Sequence, residues 1–254
     1  MNIMSFDNSF DGFLTLVFES YRLKLMPDII LGSGENQQVL FSRPLFIPCE
    51  PEKADRVWNK IIEKTSKENA DRLYRVFMSE VPNAPMMIFE FIRLMNKYHY
   101  NIEVDFTLVP VLEINKLHRK VAREAERIRM FTRFQKTAEE SYFASFSPQY
   151  NVLPLIIPHF ADRFADQEWI IYDLKRNYGF YSDRKETARI SFKELPVNPV
   201  NGQLYDSYHD ADEKQFQILW RKYYTSITIE QRKNYKLHRQ MLPKRYWRYL
   251  TEKN

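Results

Sequence analysis

The run Ile114-Asn115-Lys116-Leu117-His118-Arg119-Lys120-Val121-Ala122-Arg123-Glu124-Ala125-Glu126-Arg127-Ile128 alternates apolar and basic residues with the period of a helix, not of a strand. At about 100° per residue, with Leu117 at zero, Ile114, Val121, Ala125 and Ile128 fall within about 80° of it. Those positions predict a buried stripe. Lys116, Arg119, Lys120, Arg123 and Arg127 fall between about 200° and 300° and predict one cationic ridge on the outer face. Glu124 and Glu126 lie off that ridge. Glu103–Phe134 reads as a long helix beginning near Pro110, a residue favoured in a first turn.

The charge pattern outside this helix sharpens the contrast. The whole chain carries a net charge of +5. Residues Asn115–Lys136 carry +6 and Arg221–Asn254 carry +8, so the remaining residues are net acidic. Concentrated positive charge gathers polyanions and displaces their counterions, giving affinity without sequence readout. The plain alternative is a solvated, highly charged helix face. Two such segments on an acidic body shift the balance toward a nucleic-acid ligand.

Length and composition set the class. The chain has 254 residues, 44% of them apolar and 28% charged, which is ordinary globular composition. A single cysteine, Cys49, excludes an internal disulfide and a multi-cysteine metal site, and suits a reducing compartment. No apolar run approaches the roughly 18 residues of a membrane span, and the N-terminal residues lack a signal-peptide pattern. The cytoplasm is the expected location and no membrane partner is expected.

Along the chain, Met1–Phe6 reads as a strand and Asn8 or Ser9 as the cap of a helix reaching about Lys24. Phe13, Leu14, Val17, Phe18 and Tyr21 mark its apolar stripe. Asp28–Leu31 and Val39–Ile47 read as strands, with Gly32-Ser33-Gly34 as a turn and not a phosphate loop. Glu52 to Tyr98 is helical, interrupted at Pro82 and Pro85. Phe131–Phe146 reads as strand and turn, and Asn151–Ala165 as a helix strained by Pro154 and Pro158. Trp169–Asp173 and Gly179–Tyr181 read as a hairpin, with Arg189–Phe192 as a third strand. Helices are expected over Asp210–Tyr224, Ile229–Gln240 and Pro243–Tyr249. The pattern predicts an α+β protein, mostly helical, with a small mixed or antiparallel sheet and helices packed on it. One domain over residues 1–254 is expected, with an internal boundary near 196–208.

Two sets of residues could carry chemistry. His159 and Arg163 are four apart on one helix face, and Asp173 and Arg176 close the next strand. Together they could clamp a phosphate, or place His159 and Asp173 as an acid/base pair. A simpler account pairs Asp173 with an arginine and packs His159 on its helix. The second set is Pro243-Lys244-Arg245-Tyr246-Trp247-Arg248, where cations interleave with aromatic rings that could stack on bases. Trp220-Arg221-Lys222-Tyr223-Tyr224 repeats the mixture. No metal site is expected, because the five histidines never pair and no His-Glu-x-x-His occurs. No dinucleotide or P-loop fingerprint appears, and no cofactor is expected.

These blocks resemble a bacterial family assigned to DNA metabolism and DNA repair. The similar pieces are Phe6-Asp7-Asn8-Ser9-Phe10-Asp11-Gly12-Phe13-Leu14, Arg123 to Phe134, His159-Phe160-Ala161-Asp162-Arg163, Trp169 to Arg176, and Leu219 to Trp247. The resemblance runs in order over essentially the whole chain. It implies a link to a radical-SAM protein of DNA modification or repair, and a similar domain occurs fused to a uracil-DNA-glycosylase-like domain. It implies no catalytic residues. The three-cysteine iron–sulfur signature of the radical enzyme is absent from this sequence.

The resulting expectation is a DNA-binding accessory protein. Its phosphate contacts would come from Lys116, Arg119, Lys120, Arg123, Arg127, Arg133, Arg163, Arg176, Arg232, Lys244 and Arg245, with Trp247 stacking. An enzyme using His159 and Asp173, or a scaffold for a protein partner, are the alternatives.

Overall fold

The computed structural model describes residues 1–33 and 43–253. It divides into two units, Met1–Ala122 and Arg123–Asn254, and the division falls inside one helix, α5 (Val109–Phe131).

The first unit is built around β1 (Ile3–Phe6), which pairs in parallel with β2 (Ile29–Gly32) on one side and β3 (Leu45–Phe46) on the other. The expected turn at Gly32-Ser33-Gly34 and the strand expected from Val39 lie partly outside the described residues. Between β1 and β2 the chain crosses over through α1 (Phe10–Arg22). The sequence Asp7-Asn8-Ser9 makes this entry abrupt. Asn8 adopts φ 67°, a left-handed conformation that asparagine tolerates. Ser9 then caps the helix, its Oγ accepting from the Gly12 amide at 2.9 Å. Asp7 in turn accepts from the Ser9 amide and hydroxyl. A Cβ at Gly12 would sit 2.0 Å from Asp7 Oδ1 and 2.9 Å from Ser9 Oγ, so a side chain there would displace the capping groups.

The apolar stripe of α1 buries Phe13, Leu14, Leu16 and Val17. Phe18 is half-buried and Tyr21 exposed, so the stripe fades toward the C-terminal end. The Phe10 ring meets Trp58, Tyr74 and Phe77 edge-on at 5.1–5.6 Å, joining α1 to α2 (Pro51–Lys64) and α3 (Lys67–Phe77). Helix α4 (Ala84–Lys97) follows, and Pro85 sits in its first turn, where its missing amide costs nothing.

The second unit holds a five-stranded mixed sheet in the order β4-β5-β6-β7-β8. Its strands are β4 (Gln135–Lys136), β5 (Tyr142–Phe146), β6 (Trp169–Asp173), β7 (Tyr178–Ser182) and β8 (Thr187–Ile190). Only β5 and β6 run parallel, and the crossover between them is α6 (Leu153–Arg163). The fold is therefore α+β, with two small sheets in place of the single one expected. Pro154 occupies the first turn of α6 and Pro158 lies inside it without ending it.

Side chains alternate across the strands, as pleating demands. Phe143 and Tyr172 share a cluster with Val197 and Leu204, which themselves form a bridge. Residues 196–204 thus pack on the sheet as part of this unit's core. Trp169 instead meets Phe160 of α6.

The chain then forms α7 (Glu213–Ser226) and α8 (Tyr235–Met241), followed by short 3₁₀ turns over Lys244–Tyr249 and Thr251–Lys253. Leu242, Tyr246 and Leu250 are buried at four-residue spacing and anchor this segment.

Gly179 sits in β7 opposite Tyr172, and a Cβ there would lie 2.6 Å from the Ile171 carbonyl oxygen and 2.6 Å from the Tyr172 ring. Backbone cannot yield cheaply, so Gly179→Ala should destabilise the protein by about 1–3 kcal/mol. A urea melt showing no shift in midpoint would remove this account of the strand.

Candidate nucleic-acid interface

Helix α5 is where the periodicity of the sequence meets the geometry. Ile114, Leu117, Val121, Ala125 and Ile128 are all buried. Opposite them, Lys116, Arg119, Lys120 and Arg123 are exposed and Arg127 is half-buried. Lys116 pairs with Glu113 at 2.7 Å, an (i, i+3) contact at the surface worth little. Arg127 donates through Nη2 to the Gln240 carbonyl at 2.7 Å. That bond joins the second basic segment to Arg127 within the second unit.

A buried carboxylate makes the same junction from the core side. Glu124 is only 1% exposed, yet it accepts from the amides of Gln149 and Tyr150 at 3.0 and 2.9 Å. Its Oε1 also accepts from Tyr246 Oη at 2.5 Å and Arg245 Nη2 at 2.9 Å. Burial and the adjacent carboxylate push the Tyr246 phenol far above its ordinary range, so it stays a donor. On the wheel Glu124 falls at about 340°, inside the apolar stripe. A charge among core positions is the sequence signal for this residue, and placing it only as off the ridge hides that signal.

The remaining cations divide by what they touch. Arg133 is bound to Glu252 at 2.8 Å and lies 5.4 Å from the Trp220 ring. Although burial opposes it, donation from Arg133 and Trp220 holds the Glu252 carboxyl below its usual value. Arg163 is exposed on α6 beside the Phe164 ring. Arg232 is exposed in the 3₁₀ turn Glu230–Arg232, and Lys244 is exposed at the start of the next. Arg245 is 43% exposed, reaching inward to Glu124. Trp247 is half-buried, stacks on His238 at 5.6 Å and donates to the Leu242 carbonyl at 3.0 Å.

The residues of the expected acid/base set sit in different surroundings. Asp173 is completely buried and its Oδ2 pairs with Arg176 Nη1 at 2.8 Å. Its Oδ1 accepts from the amides of Lys175 and Arg176, closing the β6–β7 turn. Burial outweighs these donors and raises its carboxyl pKa. Arg176 also reaches the Pro148 and Gln149 carbonyls, so it holds the loop that Glu124 grips. His159 is exposed on α6, its ring against Phe160.

His118 is a second residue that the charge pattern did not single out. Burial, then the nearby Arg75, Arg72 and Arg119, lower its pKa to about 4. Positive charge therefore gathers from α3 as well as from α5 in the first unit. Among the described residues no group of three or more His, Cys, Asp or Glu could hold a metal ion, and no helix is long and apolar enough to cross a membrane.

The chain belongs to the family described as a domain of unknown function, DUF4130, whose model matches residues 82–252. The matched stretch takes in α5, the five-stranded sheet and the anchored segment through Glu252. No curated protein and no solved structure matches the chain.

Two outcomes test this geometry. Glu124→Ala strands two amides, a guanidinium and a phenol, and should cost about 3–5 kcal/mol in urea unfolding. A loss below about 1 kcal/mol would mean the donors find water. For His118, the folded-state pKa lies below the ordinary 6.5, so the unfolded chain binds the proton more readily. Its contribution is intact above pH 6.5 and declines as pH falls toward about 4. His118→Gln should flatten the stability profile across that window.

Proposed function

We propose that the protein is a nucleic-acid-binding accessory protein of DNA repair or DNA modification, contacting phosphates through two basic segments, the Lys116–Arg127 ridge of α5 and Arg221–Arg248. The observation that carries this reading is the Arg127–Gln240 bond, which sets the end of the ridge against the second basic segment. Arg119, Lys120 and Arg123 stand exposed along the same helix face. Lys244 and Arg232 add exposed charge from the later segment. Exposed cations neutralise phosphates and release their counterions.

The resemblance to DNA-metabolism proteins supports DNA as the polyanion and a radical-SAM repair protein as a working partner. An acid/base role for His159 with Asp173 gains no support from the geometry, because one is at the surface and the other is sealed behind Arg176. Arg133 and Arg176 serve the fold first, since each is committed to a buried carboxylate.

Fluorescence anisotropy with labelled DNA across a salt series tests the reading. Affinity should fall steeply with salt, with a slope of about 0.9 per phosphate contacted. Lys120→Glu with Arg123→Glu should weaken binding to every sequence alike and reduce that slope by about two. A salt-independent response of the unaltered protein would end the proposal.

A further inference from the structure

His118 is half-buried on α5, and its Nδ1 is sealed from water without a hydrogen-bond partner. A sealed polar atom with no partner is costly and calls for a local reason. With Leu117 at zero, His118 falls at about 100°, on the flank between the buried stripe and Arg119 at about 200°. The ring therefore sits where the apolar face of the helix gives way to the cationic one.

The neighbouring helix supplies more positive charge. Arg72 and Arg75 are three residues apart on α3 and share a face. Two bonds fix α3 against the segment that leads into α5. Ser66 Oγ, at the α3 cap, donates to Glu103 Oε2 at 2.9 Å, and Arg72 Nη1 donates to the Glu103 carbonyl at 3.3 Å. Arg75, Arg72 and Arg119 are the charges that act on the His118 ring, with no carboxylate among them. The acids nearby in sequence are committed elsewhere. Asp71 pairs with Lys67 at 3.2 Å, Glu113 with Lys116 at 2.7 Å, and the Glu103 carboxylate takes Ser66. Arg75 and Arg119 are exposed and make no ion pair among the described residues. All four residues belong to the first unit.

Like charges gathered on one small surface repel one another unless an anion joins them. Guanidinium groups match phosphate oxygens two at a time. A phosphate monoester carries close to two negative charges at neutral pH, whereas a phosphate within a strand carries one, so three guanidinium groups favour the monoester. Because Nδ1 has no acceptor beside it, the neutral imidazole keeps its proton on Nε2 and has a donor to offer.

We propose that Arg72, Arg75, Arg119 and His118 form a site for a phosphate monoester, the group at the phosphorylated end of a nucleic-acid strand. The inference rests on the nucleic-acid reading above and deepens it, adding a preference for strands that end in phosphate. A small molecule bearing a free phosphate offers the same chemistry, and the two arms of the test separate these sources.

The first arm follows the His118 ring by NMR while inorganic phosphate is added. The signal should move, more than with chloride at equal ionic strength, and Arg75→Ala should weaken the response. An equal response to chloride, or one that survives Arg75→Ala unchanged, overturns the site and leaves the phosphate contacts of the ridge standing. The second arm compares, by anisotropy, a strand ending in phosphate with the same strand ending in a hydroxyl, each end tried in turn. The phosphorylated strand should bind more tightly, on the order of tenfold, and Arg75→Ala should remove that preference. Equal affinity for the two strands overturns the strand end as the source and assigns the site to a small phosphate compound. A phosphate response with binding to neither strand keeps the site and overturns the nucleic-acid reading.

Discussion

Glu124 is a carboxylate with almost no water around it and four donors aimed at it. Two come from the backbone at Gln149 and Tyr150, one from the Tyr246 phenol and one from the Arg245 guanidinium. Burying a charge costs several kcal/mol unless hydrogen bonds of this quality surround it. Here they fasten two separate stretches of sequence to one turn of α5. The loop before α6 and the segment after α8 are positioned by it, and the exposed Lys244 of the latter inherits its placement. Asp173 repeats the device on the other side of the same loop, with Arg176 bridging it to the Pro148 and Gln149 carbonyls.

This arrangement explains which charged residues are available to a ligand. A cation bound to a buried carboxylate is part of the scaffold, and removing it leaves the partner uncompensated. Arg133 and Arg176 belong to that group. Arg119, Lys120, Arg123, Arg232 and Lys244 do not, because each is exposed and makes no ion pair among the described residues. The division follows from burial, which charge counts along a sequence cannot register.

Helical periodicity makes α5 legible in the sequence itself, and all five residues of its apolar stripe are buried. The cap at Ser9 and the hairpin of β6 and β7 are equally readable, being local events with local chemistry. What escapes is long-range. The parallel pairing of β5 with β6, and the existence of two sheets where one was expected, depend on contacts between distant segments. Glu124 escapes because its partners lie 25 to 122 residues away, although its place among core positions announces it. His159 and Asp173 look like a pair because they are neighbours in sequence order. The fold directs one outward and locks the other.

The inward anchoring of Leu242, Tyr246 and Leu250 has a bearing on how the protein is made. Helix α5 is synthesised more than a hundred residues before Tyr246, the phenol that Glu124 needs. Until that tyrosine has left the ribosome, the carboxylate has only the Gln149 and Tyr150 amides to replace its water. Closure of this half therefore waits on Arg245 and Tyr246, whereas β1, β2 and their crossover helix rest on partners nearer in sequence.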